Sequence, residues 1–244
     1  MEQVDYSLMR ALMGGSHSKC PIEFYLLELG LFKLRHIIMK RRMVYHHHIL
    51  TRNENETIRK IYNKQKESVC KGDWYETLIK DFEFIGEVMN DSIIMKMDKI
   101  QYKKLIHTKV EKAAIASYMK RKQEKLTKLQ DIQYSSFKLQ PYFTCSVFGP
   151  KEIKIMSLLR SKSHPAKSNF KKLHKNNIKC SLGCNSEETQ LHIFEECTPI
   201  LNIIGHGKGI SLIKIYGPLD DQMSIVKTLV QMEDIRVKLI KKPI

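Results

Sequence analysis

A chain of 244 residues is long enough to bury a real core, as one large domain or two small ones. Its 42% hydrophobic content, with no dominant block of one charge sign, excludes wholesale disorder. Forty-two Lys and Arg stand against 26 Asp and Glu, a formal net charge of +16, which favours polyanions such as DNA, RNA or an anionic membrane face.

Residues 4–13 have helical spacing and stop at Gly14–Gly15. From Pro21 and Glu23, a good helix start, Phe24, Leu27, Leu31, Leu34 and Ile38 recur at helical intervals, with Gly30 as the expected break. The second half carries Lys40, Arg41 and Arg42, then His46, His47 and His48. Neighbours on a helix diverge by about 100°, so three adjacent histidines do not face one metal. A basic helix is expected over 56–70, with Ile58, Ile61, Tyr62 and Gln65 on one face. Asp73 followed by Glu76 signals the cap of the next helix, which is locally acidic through Asp81, Glu83 and Glu87. Asp98 then caps a long helix from Lys99 towards Leu129, with Ile100, Leu105, Ile106, Val110, Ala113, Ala114, Ser117 and Tyr118 as its apolar stripe. Lysines crowd its other faces, where they either lie along phosphates or are simply solvated.

Residues 130–149 are less regular, 151–160 are again helical, and a polar basic linker follows from Ser161 to Lys179. A terminal helix is expected over 219–241. The fold class is therefore mainly α: a multi-helix domain over 1–165, then a small zinc knuckle and a C-terminal helix over 166–244.

The densest chemistry lies in CSLGCNSEETQLHIFEEC, which spaces Cys180, Cys184, His192 and Cys197 as C-x3-C-x7-H-x4-C. Two thiolates close in sequence can chelate from a tight turn, and Gly183 supplies the freedom such a turn needs. Ser186 or Asn185 is the expected cap of a short helix that delivers His192 and Cys197, and Pro199 blocks its continuation. Four protein ligands of this softness make a closed, structural site for one Zn2+, because a catalytic zinc keeps a position open for water. Cys20, Cys70 and Cys145 stand apart as ordinary thiols, and His164 and His174 as surface or phosphate-facing groups. The longest apolar runs fall far short of the roughly 20 residues of a membrane span. Asp5 and Arg10 interrupt any secretory signal, and six cysteines are too few for a disulfide scaffold, so an intracellular protein is expected, nuclear or cytoplasmic.

Several stretches together resemble the C-terminal, post-polymerase region of non-LTR retrotransposon reverse transcriptases. They are LLELGLFKLRHIIMKRRMVYHHHIL after Pro21-x-Glu23, QKESVCKGDW from Gln65 to Trp74 followed by Asp81, LLRS at 158–161, and the cysteine cluster itself. In the last, Glu188–Thr189 precedes His192, and Cys197–Thr198–Pro199 closes the run. The resemblance spans about residues 5–240 and implies binding of target DNA or template RNA. It points to the four metal ligands, to flanking Lys171, Lys172, Lys175 and Lys179, to the paired Arg41 and Arg42 as nucleic-acid backbone contacts or packing residues, and to Arg160 of LLRS. The paired aspartates of the polymerase are not found; Asp220–Asp221 sits at a helix start after Gly217–Pro218. The expected protein is thus a zinc-stabilised nucleic-acid-binding module, not an enzyme, whose partners are DNA or RNA and the missing polymerase core, with Tyr142, Phe143 and Phe170 as core residues first and as candidates to stack on unpaired bases second. Two alternatives compete: a structural or protein-interaction remnant with an incidental basic surface, and an enzyme using Asp73, Glu76 and Asp81.

Overall fold

The computed structural model describes residues 7, 9, 11, 13, 22–125, 138–170, 173–174, 177–205 and 209–241, with side chains for all of these but 121–125. The fold is mainly helical; among the described residues the only extended pairing is an isolated antiparallel bridge between Lys179 and Glu187. No helix among them is long and apolar enough to cross a membrane. The chain divides into two compact units. One is Gly30–Glu124, and the other holds the remaining described residues.

This division falls elsewhere than the 165/166 boundary expected from sequence. Helix α1 (Ile22–Leu29) ends at Gly30, whose φ of +65° suits a residue without a Cβ. The next helix, α2 (Leu34–Leu50), already belongs to the other unit. Around α2 pack α3 (Thr57–Glu67), α4 (Trp74–Phe84) and α5 (Asp91–Lys96). The long α6 (Lys99–Lys125) completes the unit and starts where expected: the Asp98 carboxylate accepts from Ile100 and Gln101 N–H at 2.8 and 3.1 Å. The α4 start also follows its sequence signal. Asp73 accepts from the Glu76 N–H at 2.6 Å, and Glu76 reaches back to the Gly72 N–H at 2.6 Å.

The buried stripe of α6 differs from the expected one. It runs Tyr102, Ile106, Val110, Ala114 and Tyr118, while Ile100 and Leu105 lie exposed. A spacing of four throughout follows the i±4 ridge, along which helices commonly interdigitate. On α3 likewise Tyr62 is buried and Ile61 is exposed. The three histidines of α2 go to three places. His46 binds the Tyr62 hydroxyl at 3.0 Å, His47 the Met97 carbonyl at 2.9 Å, and His48 the Arg52 guanidinium at 3.1 Å.

Two polar networks tie this unit. Tyr62 donates to Asp91 at 2.8 Å and Lys66 does so at 2.6 Å. Burial alone raises the Asp91 carboxyl, but the hydrogen bonds from His46, Lys66 and Tyr62 outweigh it and hold the group well below the usual carboxylate range. Around His36, the Arg35 Nε–H donates to Nε2 at 3.1 Å, so Nδ1 carries the proton and faces the Tyr118 hydroxyl at 3.1 Å. Burial, with the charges of Arg35 and Lys33, pulls His36 down to about 4.

In the other unit, α7 (Pro150–Arg160) and α9 (Leu219–Lys241) pack together, and α8 (Thr198–Ile204) lies against α9. Ile155, Met156 and Leu159 of α7 share one core with Ile225, Val226, Leu229 and Met232 of α9. The same core holds Cys180, Ile193, Phe194 and Cys197. The cysteine segment is thus built into this unit and is not a separate knuckle domain.

Candidate metal centre

The local chain path explains how four separated residues converge. The Cys180 N–H donates to the Ser186 carbonyl at 3.0 Å, and the Glu188 N–H to the Ile178 carbonyl at 2.8 Å, which closes a short two-stranded loop. At its tip Gly183 takes φ +86°, a value that a β-carbon disfavours. The turn lets the Leu182 N–H approach the Cys180 sulfur at 3.4 Å, a donor that favours a thiolate. Thr189 then starts the next turn by accepting from the His192 N–H at 2.9 Å. Thr189 is the cap here, in place of the Ser186 or Asn185 expected from sequence. The turn His192–Glu196 is wound wider than an α-helix, and Cys197 leaves it in extended conformation before Pro199 opens α8.

The four candidate ligands do converge. One ligand atom from each of Cys180, Cys184, His192 and Cys197 lies within 4.8 Å of all the others. The Cys197 sulfur is 3.9 Å from that of Cys180 and 3.8 Å from that of Cys184. A disulfide needs about 2.05 Å. Sulfurs sharing a tetrahedral ion at about 2.3 Å lie about 3.8 Å apart. Burial, then the neighbouring Cys180 sulfur, pushes the Cys197 thiol far up, and burial also raises Cys184. Thiols crowded and buried this way ionise together only if a cation shares the space. His192 is 3% exposed, and neither of its buried ring nitrogens has a hydrogen bond among the described residues; the nearest carboxylate, of Glu196, stands 3.7 Å from Nδ1. An imidazole left so is costly unless it ligates. The donor set and its spacing therefore fit a metal ion.

Behind the ligands stands a carboxylate whose role the sequence did not reveal. Glu188 is 2% exposed. One oxygen accepts from the Ser181 N–H, beside Cys180, at 2.7 Å, and the other from Arg236 of α9 at 3.0 Å. Arg236 also donates to the Pro165 carbonyl at 3.1 Å and to Glu233 at 3.1 Å. The Glu–Thr pair ahead of His192 thus has two structural jobs: Glu188 anchors the cysteine loop to α9, and Thr189 caps the turn that presents His192.

The basic candidates separate sharply. Arg41 is exposed on α2. Arg42 is half-buried and donates to Asp81 at 2.7 Å, and burial nonetheless raises that carboxyl. Arg160 is a correction: it is 4% exposed, donates to Glu28 at 2.7 and 3.1 Å and to the Ile215 carbonyl at 2.6 Å, and lies over the rings of Tyr142 and Tyr216. A guanidinium so enclosed does not meet a phosphate. Lys179 is exposed, while Lys171, Lys172 and Lys175 lie outside the described residues.

For the three aromatic residues the core reading, not stacking on bases, is the one that holds. Tyr142 is fully buried with its hydroxyl on Glu28 at 2.6 Å, Phe143 stacks on it, and Phe170 is 7% exposed. His164, expected at the surface, is fully buried against Glu233 at 3.0 Å. Asp73 and Glu76 hold backbone N–H groups at the start of α4, and Asp81 holds Arg42. Compared with known proteins, the chain matches no protein-family model, no curated protein and no solved structure.

Proposed function

We propose that the chain is a basic nucleic-acid-binding module in which Cys180, Cys184, His192 and Cys197 hold one structural zinc ion. The observation that carries the metal reading is the convergence of three sulfurs and an imidazole within 4.8 Å. Thiolate-rich sets of four select zinc or iron–sulfur chemistry over the oxygen-loving cations. A single Cys3His set fits one tetrahedral zinc. With all four positions supplied by the protein, the ion's contribution is to hold the loop, the π-turn and α8 together, not to activate water.

The nucleic-acid reading is supported by the net charge of +16 and by the resemblance of the motif stretches to the post-polymerase region of retrotransposon reverse transcriptases. Contacts of this kind fall mainly on phosphates, so affinity should drop steeply with salt. Exposed Arg41 and Lys179 stay in the contact set, while Arg160 leaves it.

The test has two parts. Mass spectrometry of the intact native protein should find one zinc per chain, lost in a Cys180→Ser/Cys197→Ser variant. Zinc-loaded protein should then bind single- and double-stranded oligonucleotides with an affinity that falls as salt rises. Freshly reduced, folded protein without bound metal would sink the zinc assignment, and flat or undetectable binding would sink the nucleic-acid assignment.

A further inference from the structure

A groove of about 740 Å³ runs between α2 and the first turns of α6, both within one compact unit. Lys40, Val44 and His48 line it from one helix at a spacing of four, with Arg41 and Tyr45 beside them. Lys99, Lys103 and His107 face them from the other helix at the same spacing. The lining contains four Lys or Arg, two His and no carboxylate. Several cations of this unit have a carboxylate partner: Lys66 has Asp91, Lys80 has Glu76 and Lys109 has Glu87. By contrast Arg41, Lys99 and Lys103 are exposed and have no ion pair among the described residues. Like charges left facing one concavity repel one another, and an anion in the groove relieves that repulsion.

The aromatic lining narrows the choice of anion. Tyr45 is 45% exposed, which is unusual for a large ring beside a core. It is nevertheless held in place: His48 stacks on it at 5.9 Å and 28°, and Trp74 meets it edge-on at 6.3 Å. A pre-oriented exposed ring between cations suits an unpaired base with its flanking phosphates. A flat lipid surface does not enter a concavity, and an acidic peptide stacks only where it carries an aromatic residue, whereas every nucleotide pairs a ring with a phosphate.

We propose that this groove seats single-stranded nucleic acid, with a base against Tyr45 and phosphates on Arg41, Lys99 and Lys103. The proposal rests on the nucleic-acid reading above and locates it on the Gly30–Glu124 unit.

The probe is a single-stranded oligonucleotide of about twelve nucleotides carrying one 2-aminopurine, titrated into the zinc-loaded full chain. Two variants accompany it: Arg41→Ala/Lys99→Ala/Lys103→Ala, and Tyr45→Leu, each checked by thermal melting to fold as the parent does. The triple variant should bind at least about tenfold more weakly, and the slope of log affinity against log salt should shrink by about 2, since each phosphate contact on a single strand contributes about 0.7. Tyr45→Leu should keep the salt slope and lose the fluorescence quenching that a stacked base gives. An unchanged affinity and slope in the triple variant, while the parent binds, would overturn the groove and leave the general reading standing. No binding by the parent would overturn both. Displacement of the oligonucleotide by polyglutamate at equal charge, with no quenching in the parent, would assign the groove to an acidic protein segment and overturn the proposal.

Discussion

Arg160 and Glu28 meet across 132 positions of sequence with almost no access to water. Each partner is satisfied beyond the pair itself, Glu28 by the Tyr142 hydroxyl and Arg160 by the Ile215 carbonyl. Breaking one side of such a pair leaves an uncompensated buried charge. Arg160→Ala should therefore cost about 3–5 kcal/mol of stability, read from urea unfolding. Replacing both ends by apolar residues of similar volume should cost much less than the single change. His36 makes a different prediction, in pH. Its folded value of about 4 lies below the ordinary 6.5, so as pH falls the unfolded chain takes up the proton first. Its contribution is complete above about pH 6.5, declines as pH falls towards 4, and is flat below. His36→Asn should flatten the stability profile of the Gly30–Glu124 unit in that window, measured by chemical denaturation at stepped pH. Asp91 acts lower on the scale. Its depressed carboxyl keeps its contribution until pH falls through the acid side of the ordinary carboxylate range, so the two residues are separable.

At the scale of elements, short-range signals translated well. The caps at Asp73 and Asp98, the break at Gly30 and the spread of the three histidines are local backbone chemistry, and each was legible in the sequence. So was the convergence of the four metal ligands, because their spacing implies a loop and a turn. What failed was the choice among neighbouring apolar positions. Tyr102 and Tyr62 are buried where Leu105 and Ile61 were equally hydrophobic candidates. That choice depends on the angle at which helices cross, which periodicity in one segment does not contain. The basic residues failed for a related reason. Arg160 and Arg41 look alike in sequence, and only the distant Glu28 makes one of them structural. Glu188 stands in the sequence only as a carboxylate ahead of His192, and its partner Arg236 lies 48 positions on. Because Glu188 holds the Ser181 N–H beside a ligand, Glu188→Gln should weaken zinc affinity by about tenfold without removing a ligand, measured by competition with a chromogenic chelator. Gly209 gives a sharper test of packing. A β-carbon there would lie 2.1 Å from the Glu195 carbonyl oxygen, so Gly209→Ala must displace the ligand-bearing turn and should lower both stability and metal affinity, read by melting with and without zinc.

At the scale of the molecule, the cysteine segment shares its core with α7 and α9, and this changes what metal loss should do. A free-standing knuckle would unfold alone on chelation and leave the helices protected. Here Ile193, Phe194 and Cys197 contribute fully or almost fully buried side chains to the cluster that contains Met156, Leu159, Val226 and Leu229. Glu188 and Arg236 add a polar tie between the cysteine loop and the terminal helix. On the proposed zinc reading, removing the ion would free four crowded ligands, and the wide turn His192–Glu196 would lose what fixes its winding. The core beneath it then loses its lid. Hydrogen exchange with and without a strong chelator should show faster exchange not only over 177–205 but also over Pro150–Arg160 and Leu219–Lys241. Leu34–Leu50, in the other unit with a core of its own, should keep its protection. Exchange confined to the cysteine segment would instead mean that α7 and α9 hold together without it, and that the shared core is a contact surface and not a cooperative whole.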